Sequence, residues 1–264
     1  MPAPFQISIE AAEAYEDQFV PALFAEWAPE LVDLADVRPA QSVLDVGCGT
    51  GIVARTAADR LDGSGRVVGL DQLEAMVTVA GRLRPDLEWY VGDAHDLPFE
   101  DGTFDRVLSQ AALMFMDAPQ KALAEMARVV TNDGTVAIQV VGRLQESPGL
   151  YPFAQAVERH AGRDSVELWA TYFRLGDPDQ LKALVESAGL EITATRIHVA
   201  KVRVPSIDAY VAAEVESTPL GDQISDEVYD RIRADANRDL APFITEQGVA
   251  LPIEGHLLAA RPAG

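Results

Sequence analysis

A chain of 264 residues, 48% hydrophobic and without any apolar run near the roughly 20 residues that cross a bilayer, predicts one soluble α/β domain rather than a membrane or disordered protein. Its 21 Lys and Arg stand against 42 Asp and Glu, and the resulting net charge of −21 would repel a polyphosphate, which argues against nucleic acid as a partner. The N-terminus lacks the features of a signal peptide and Cys48 is the one cysteine, so a cytoplasmic protein without an internal disulfide is expected.

Over residues 8–36, Tyr15, Phe19, Leu23, Phe24, Trp27 and Leu31 recur at helical spacing, interrupted by Pro21 and Pro29, which predicts two short amphipathic helices. Strands are then predicted at 42–46, 66–71, 87–93, 104–110 and 134–141, the last entered through an Asn132-Asp133-Gly134 turn. Helices are predicted between most of them, at 52–60, 73–83 and 119–130. Such alternation implies right-handed crossovers and a mostly parallel sheet covered on both faces, with a ligand at the carboxyl ends of its strands. Beyond residue 142 come an aromatic, mostly helical stretch (143–175), a helix closed by Gly189, a strand at 190–204, further helices over 205–248 and a last strand at 253–261. The expected organisation is a single domain, 1–264. Its core spans about 37–142, 176–204 and 249–262, and a helical cap spans about 8–36, 143–175 and 205–248.

VLDVGCGTGIVAR, residues 43–55, places Gly47, Gly49 and Gly51 between a strand and a helix, where bare backbone suits a nucleotide-like ligand. A dinucleotide fingerprint would want its third glycine where Ile52 stands, which weighs against an NAD-dependent oxidoreductase. Asp71 ends the second predicted strand, where a carboxylate can accept both hydroxyls of a ribose. Asp45, two residues before Gly47, suits an ammonium and would repel a pyrophosphate. Asp93, in GDAHDLPF, is placed to accept from a purine's exocyclic amine. A ligand with an amine at one end, a ribose in the middle and adenine at the other meets all these positions, and S-adenosylmethionine has that layout.

With GRVVGLDQLEAMVTVA, DAHDLPFEDGTFDRVLSQ and LAEMARVVTNDGTVAI following in order, the chain resembles the class I S-adenosylmethionine-dependent methyltransferases, in the branch of the ubiquinone/menaquinone and natural-product enzymes. The resemblance implies a Rossmann-like seven-stranded sheet with its last strand antiparallel. It implies that Asp45, Gly47, Cys48 and Gly49 meet the methionine end, Asp71 the ribose, Gln72, Leu73 and Met76 the ribose or adenine face, and Asp93 with Ala94 the adenine edge. The Ser109 carbonyl would take the ammonium, and Tyr15 would fold over the cofactor. Asn132-Asp133-Gly134 departs from the Pro-Gly-Gly usual in the family, at a turn expected to lie on the surface.

The expected activity is methyl transfer to O, N or C of a small organic metabolite. The alternative is an inactive S-adenosylmethionine-binding protein acting as a regulator or assembly subunit. Gln110, Met114 and Phe115, with Trp169 and Phe173 of the cap, are candidate walls for the acceptor. His160 is the candidate base. His95 is expected to face solvent, and His198 and His256 to be structural. No pair of histidines stands at metal spacing, so no metal is expected, and a homodimer stays open.

Overall fold

The computed structural model describes residues 7–216 and 220–263. Its N-terminal segment is one continuous helical run: α1 (Ile9–Ala14), a π-wound stretch (Tyr15–Phe24) and α2 (Ala25–Leu34). This corrects the expected pair of short helices. Pro21 lies inside the π-wound stretch, whose wider i→i+5 turn accommodates a ring that would break an α-helix. The winding has a consequence for side chains. Tyr15 and Phe24 are nine positions apart, on opposite sides of an α-helix, yet their rings pack at 5.5 Å.

The sheet is formed by β1 (Ser42–Val46), β2 (Arg66–Asp71), β3 (Glu88–Val91), β4 (Phe104–Gln110), β5 (Val130–Val141), β6 (Leu190–Val204), the two-residue β7 (Ile244–Thr245) and β8 (Gly248–Pro262). Seven of these run in the order β3-β2-β1-β4-β5-β8-β6, and β7 pairs with β8 off that path. The first five are mutually parallel. β8 runs antiparallel between β5 and β6, as the resemblance implies. Strand order reverses between β1 and β4, so the switch point lies beyond Val46 and Gln110.

Alternate residues of the strands supply two cores. On one face Val43, Val67, Leu108, Ala137 and Leu257 pack under α2 and α3 (Ile52–Leu61). On the other, Leu44, Val68, Val107, Val136 and Ile138 pack under α5 (Pro119–Val129) and α8 (Pro178–Ser187). The remaining crossover helix, α4 (Glu74–Leu83), packs Ala75 and Val79 on Ala12 of α1. α6 (Tyr151–Ala161), α9 (Ile207–Glu216) and α11 (Asp226–Asp239) gather around a third core with Phe153, Val157, Tyr210, Val211 and Ile232, against Val249 and Leu251 of β8. Two further short helices, α7 (Glu167–Phe173) and α10 (Leu220–Gln223), complete this region.

β3 is shorter than expected, and the starts of two other strands differ by four or more residues for local reasons. β5 starts at Val130, and residues 132–134 form a bulge within it, since Phe104 pairs with Val130 and Arg106 already with Thr135. β8 starts at Gly248 and passes through Pro252, a residue that argues against a central strand. β5 has already ended opposite Gly255, so at Pro252 the strand has only β6 beside it as a long neighbour.

Candidate functional site

A cleft of about 550 Å³ opens at the switch point. Its wall includes Tyr15, Asp45, Gly47, Cys48, Gly49, Asp71, Gln72, Leu73, Met76, Asp93, Ala94, Gln110 and Phe115, all singled out in the sequence, so residues spread over 100 positions converge on one space. Phe24, Ile52, Gly92, His95, Ala111, Met116, Asp117 and Tyr172 complete much of it without having been named as site residues.

The three glycines of the first turn do different work. All have positive φ, +71 at Gly47, +54 at Gly49 and +88 at Gly51, which sterics allow cheaply only to glycine. A Cβ on Gly47 would lie 2.5 Å from the Ala112 Cβ, and one on Gly51 would lie 2.3 Å from the Trp89 ring. Those two are bare to admit the protein's own chain. At Gly49 a Cβ would meet only Tyr15, at 3.8 Å, so here the missing side chain leaves the backbone open toward the cleft. Gly51 therefore lies off the wall, while Gly47 and Gly49, the two glycines placed at the methionine end, both line it.

Asp45 is 1% exposed, and its Oδ2 accepts the Ala54 amide of the first turn of α3 at 3.0 Å. Burial pushes its carboxyl up to about 7, with Asp71 adding to the effect and the Ala54 N–H and Arg55 opposing it. Among the described residues no cationic side chain lies within salt-bridge distance of it. Asp71 accepts the Gly49 amide on Oδ2 and the Leu73 amide on Oδ1, both at 2.9 Å, and burial raises its carboxyl too. The Gln72 amide also favours the charged carboxylate, and acceptor capacity still remains on it. Asp93 accepts from the His95 amide at 2.9 Å and lies 2.6 Å from the His95 Nδ1, contacts that hold its carboxyl low.

Tyr15 lies over the glycine turn because its neighbour Glu16 is paired at 2.8 Å with Arg55, which also donates to the Thr50 carbonyl at 2.8 Å. Burial, then Asp71, push the Tyr15 hydroxyl far above its usual range, so it stays a phenol. At the far end of the wall Phe115 and Tyr172 meet edge to face at 5.1 Å, and Arg174 donates to the Met116 carbonyl, tying α7 to that turn. Gln110 donates to the Phe24 carbonyl at 3.0 Å, joining β4 to the π-wound stretch.

Other expectations fall outside the cleft. Met114 is fully buried in the core, and Ser109 is fully buried within β4 and absent from the wall. Phe173 packs into the cores beneath α7, leaving Tyr172 to face the cleft. Trp169 lies in α7, but its side chain is outside the described residues. His160 pairs with Asp235 at 2.9 Å, across the interface of α6 and α11, and does not reach the wall. None of the described residues of 205–248 reaches it either. Ala111, at φ +50, is the one non-glycine residue of the wall with a left-handed backbone, a strain invisible in the sequence.

Residues 44–138 match the family model described as a methyltransferase domain. The 2-phytyl-1,4-naphtoquinone methyltransferase of Thermosynechococcus vestitus is 33% identical over 66% of this chain and 83% of its own length. The chain belongs to the class I S-adenosylmethionine-dependent methyltransferase family. The demethylmenaquinone methyltransferase of Renibacterium salmoninarum is 42% identical over 42% of this chain, and the chain spans only 46% of that protein's length. The fold of this methyltransferase domain matches the crystal structure of the YcgJ protein of Bacillus subtilis with a TM-score of 0.62, at 18% identity, over 90% of this chain and 99% of the other. Among the described residues no helix is long and apolar enough to cross a membrane.

Proposed function

We propose that this chain is a single-domain, cytoplasmic enzyme that uses S-adenosylmethionine to methylate O, N or C of a small organic molecule. One observation carries the reading: Asp45 is a buried carboxylate without a cationic partner, at the wall of a cleft that also holds Asp71 and the bare Gly49 backbone. A buried anion left alone is costly, and a ligand ammonium would relieve that cost. The free acceptor directions of Asp71 suit a ribose diol, and Asp93 with Ala94 suits the purine edge. Gln72, Leu73 and Met76 would flank the sugar and base. These donors and acceptors fit the cofactor, whose sulfonium methyl supplies the group transferred.

The chain's contribution to transfer is positioning and exclusion of water. Holding two reactants in line is worth roughly 7 to 11 kcal/mol of barrier. Tyr15, Phe24, Phe115, Met116 and Tyr172 supply apolar wall against which an acceptor would lie. The described wall contains no Lys or Arg, so it offers no counter-charge to an anionic acceptor.

Isothermal titration with S-adenosylhomocysteine and with NAD tests the reading. The expected result is saturable binding of the former and no heat from the latter. Failure to bind S-adenosylhomocysteine overturns it. Binding without release of label from methyl-labelled cofactor across a broad acceptor panel and cell extract would instead point to a regulatory binder.

A further inference from the structure

Away from the cleft, three metal-ligating side chains converge from two separate segments. Glu254 and His256 alternate on β8 and so share one face of the strand. Glu146 ends the short 3-10 turn Leu144–Glu146 that follows β5. One ligand atom of each lies within 4.8 Å of the others, and the His256 Nε2 is 2.7 Å from the Glu254 Oε1. The His256 and Glu254 side chains are only 7% and 19% exposed.

Two further features bear on this cluster. The first is charge: two carboxylates face one imidazole, and the cation nearby, Arg143, is 3.4 Å from Glu146 while its other amino group is bonded to Asp177. The second is pre-organisation. Gly142 donates to the Glu254 carbonyl at 2.7 Å and Gly149 to the Pro252 carbonyl at 3.3 Å, so the segment bearing Glu146 is fastened to β8 on both sides of it. A Cβ on Gly142 would sit 3.0 Å from the His256 Nε2, so glycine there keeps a methyl group from crowding that nitrogen.

We propose that Glu146, Glu254 and His256 bind one divalent first-row transition metal ion. Mixed imidazole and carboxylate donors suit Zn²⁺, Mn²⁺ or Co²⁺, whereas Mg²⁺ and Ca²⁺ favour all-oxygen sites. Three protein ligands leave at least one position for water. None of the three residues lines the cleft, so the ion would fasten the segment leading into α6 onto β8 and take no part in methyl transfer. Local spacing could not reveal this trio, because Glu146 joins Glu254 and His256 only after β8 inserts beside β5.

The full chain, stripped with EDTA and dialysed, is titrated with ZnCl₂ and separately with MgCl₂, and its Co²⁺ form is examined by visible absorption. The expected result is one Zn²⁺ per chain, at least tenfold weaker binding in Glu146→Gln, Glu254→Gln and His256→Gln, no comparable Mg²⁺ binding, and a Co²⁺ spectrum altered in His256→Gln. Glu146 is 44% exposed, so its variant tests the site without disturbing the core. No Zn²⁺ binding by the wild type overturns the proposal. So does Zn²⁺ binding unchanged in Glu146→Gln, or Mg²⁺ bound as tightly as Zn²⁺, since each would mean ions held loosely by the acidic surface.

Discussion

Asp71 accepts the amide of Gly49 at 2.9 Å, joining the tip of β2 to the glycine of the turn that has the most open space on its cleft side. The same carboxylate thus shapes the turn and offers its remaining lone pairs to a diol. Asp71→Ala should weaken S-adenosylhomocysteine binding by about 2 to 3 kcal/mol, roughly 30- to 150-fold, while the chain still folds cooperatively. Calorimetric affinity and a thermal melt measure both. Unchanged affinity would place the ribose elsewhere.

Asp45 gives a pH dependence of definite sign. Its folded-state value of about 7 exceeds the ordinary 3.8, so the folded chain holds a proton there that the unfolded chain releases. Its contribution is neutral below about pH 4, becomes increasingly unfavourable as pH rises to 7, and is constant above. Asp45→Asn should therefore stabilise the ligand-free protein at pH 8, by up to about 4 kcal/mol, and do nothing at pH 4. Denaturant melts at the two pH values test this. In the wild type, affinity for the ammonium-bearing S-adenosylhomocysteine should rise as pH increases through 7, with proton release on binding.

Gly51→Ala and Gly49→Ala should separate packing from ligand access. The first drives a methyl into Trp89 and should cost about 2 to 4 kcal/mol of stability. The second has only Tyr15 near it, so strain of about 1 kcal/mol is expected, with the larger loss falling on cofactor affinity. Equal loss of stability in both would refute the distinction.

Glu16 is not itself part of the cleft wall, yet its pairing with Arg55 holds the start of the π-wound stretch over the glycine turn. Glu16→Gln should lower S-adenosylhomocysteine affinity several-fold through Tyr15. Adding Tyr15→Ala should then produce little further loss, which a double-mutant cycle would show.

Tyr172→Ala should raise the KM for a methyl acceptor about tenfold and leave cofactor affinity intact, because Tyr172 meets Phe115 on the apolar wall of the cleft. His160→Gln should leave both unchanged, since its ring is held by Asp235 away from the wall. A large fall in kcat for His160→Gln would restore it as the base.

The parallel half of the sheet was legible in the chain because each strand, turn and crossover helix is a local pattern, and Asp45, Asp71 and Asp93 each lie at or next to the end of such a strand. The acceptor end was not. Tyr172 and Phe173 are adjacent on one short helix, and which of them faces the cleft depends on how α7 rolls against the cores below it. Pro21 misled for a related reason: it breaks a helix in isolation, but here it falls in a π-wound turn.

By itself, then, the amino-acid sequence determined the strand order of chemistry along the chain: apolar runs that must be buried, glycines where the backbone turns left-handed, and acids at strand ends. Only the tertiary structure decided which glycine is most open, which aromatic lines the cleft, and that Glu146 meets His256. These follow from packing between segments far apart in the chain, where the free energy of burying one side chain depends on every neighbour brought to it.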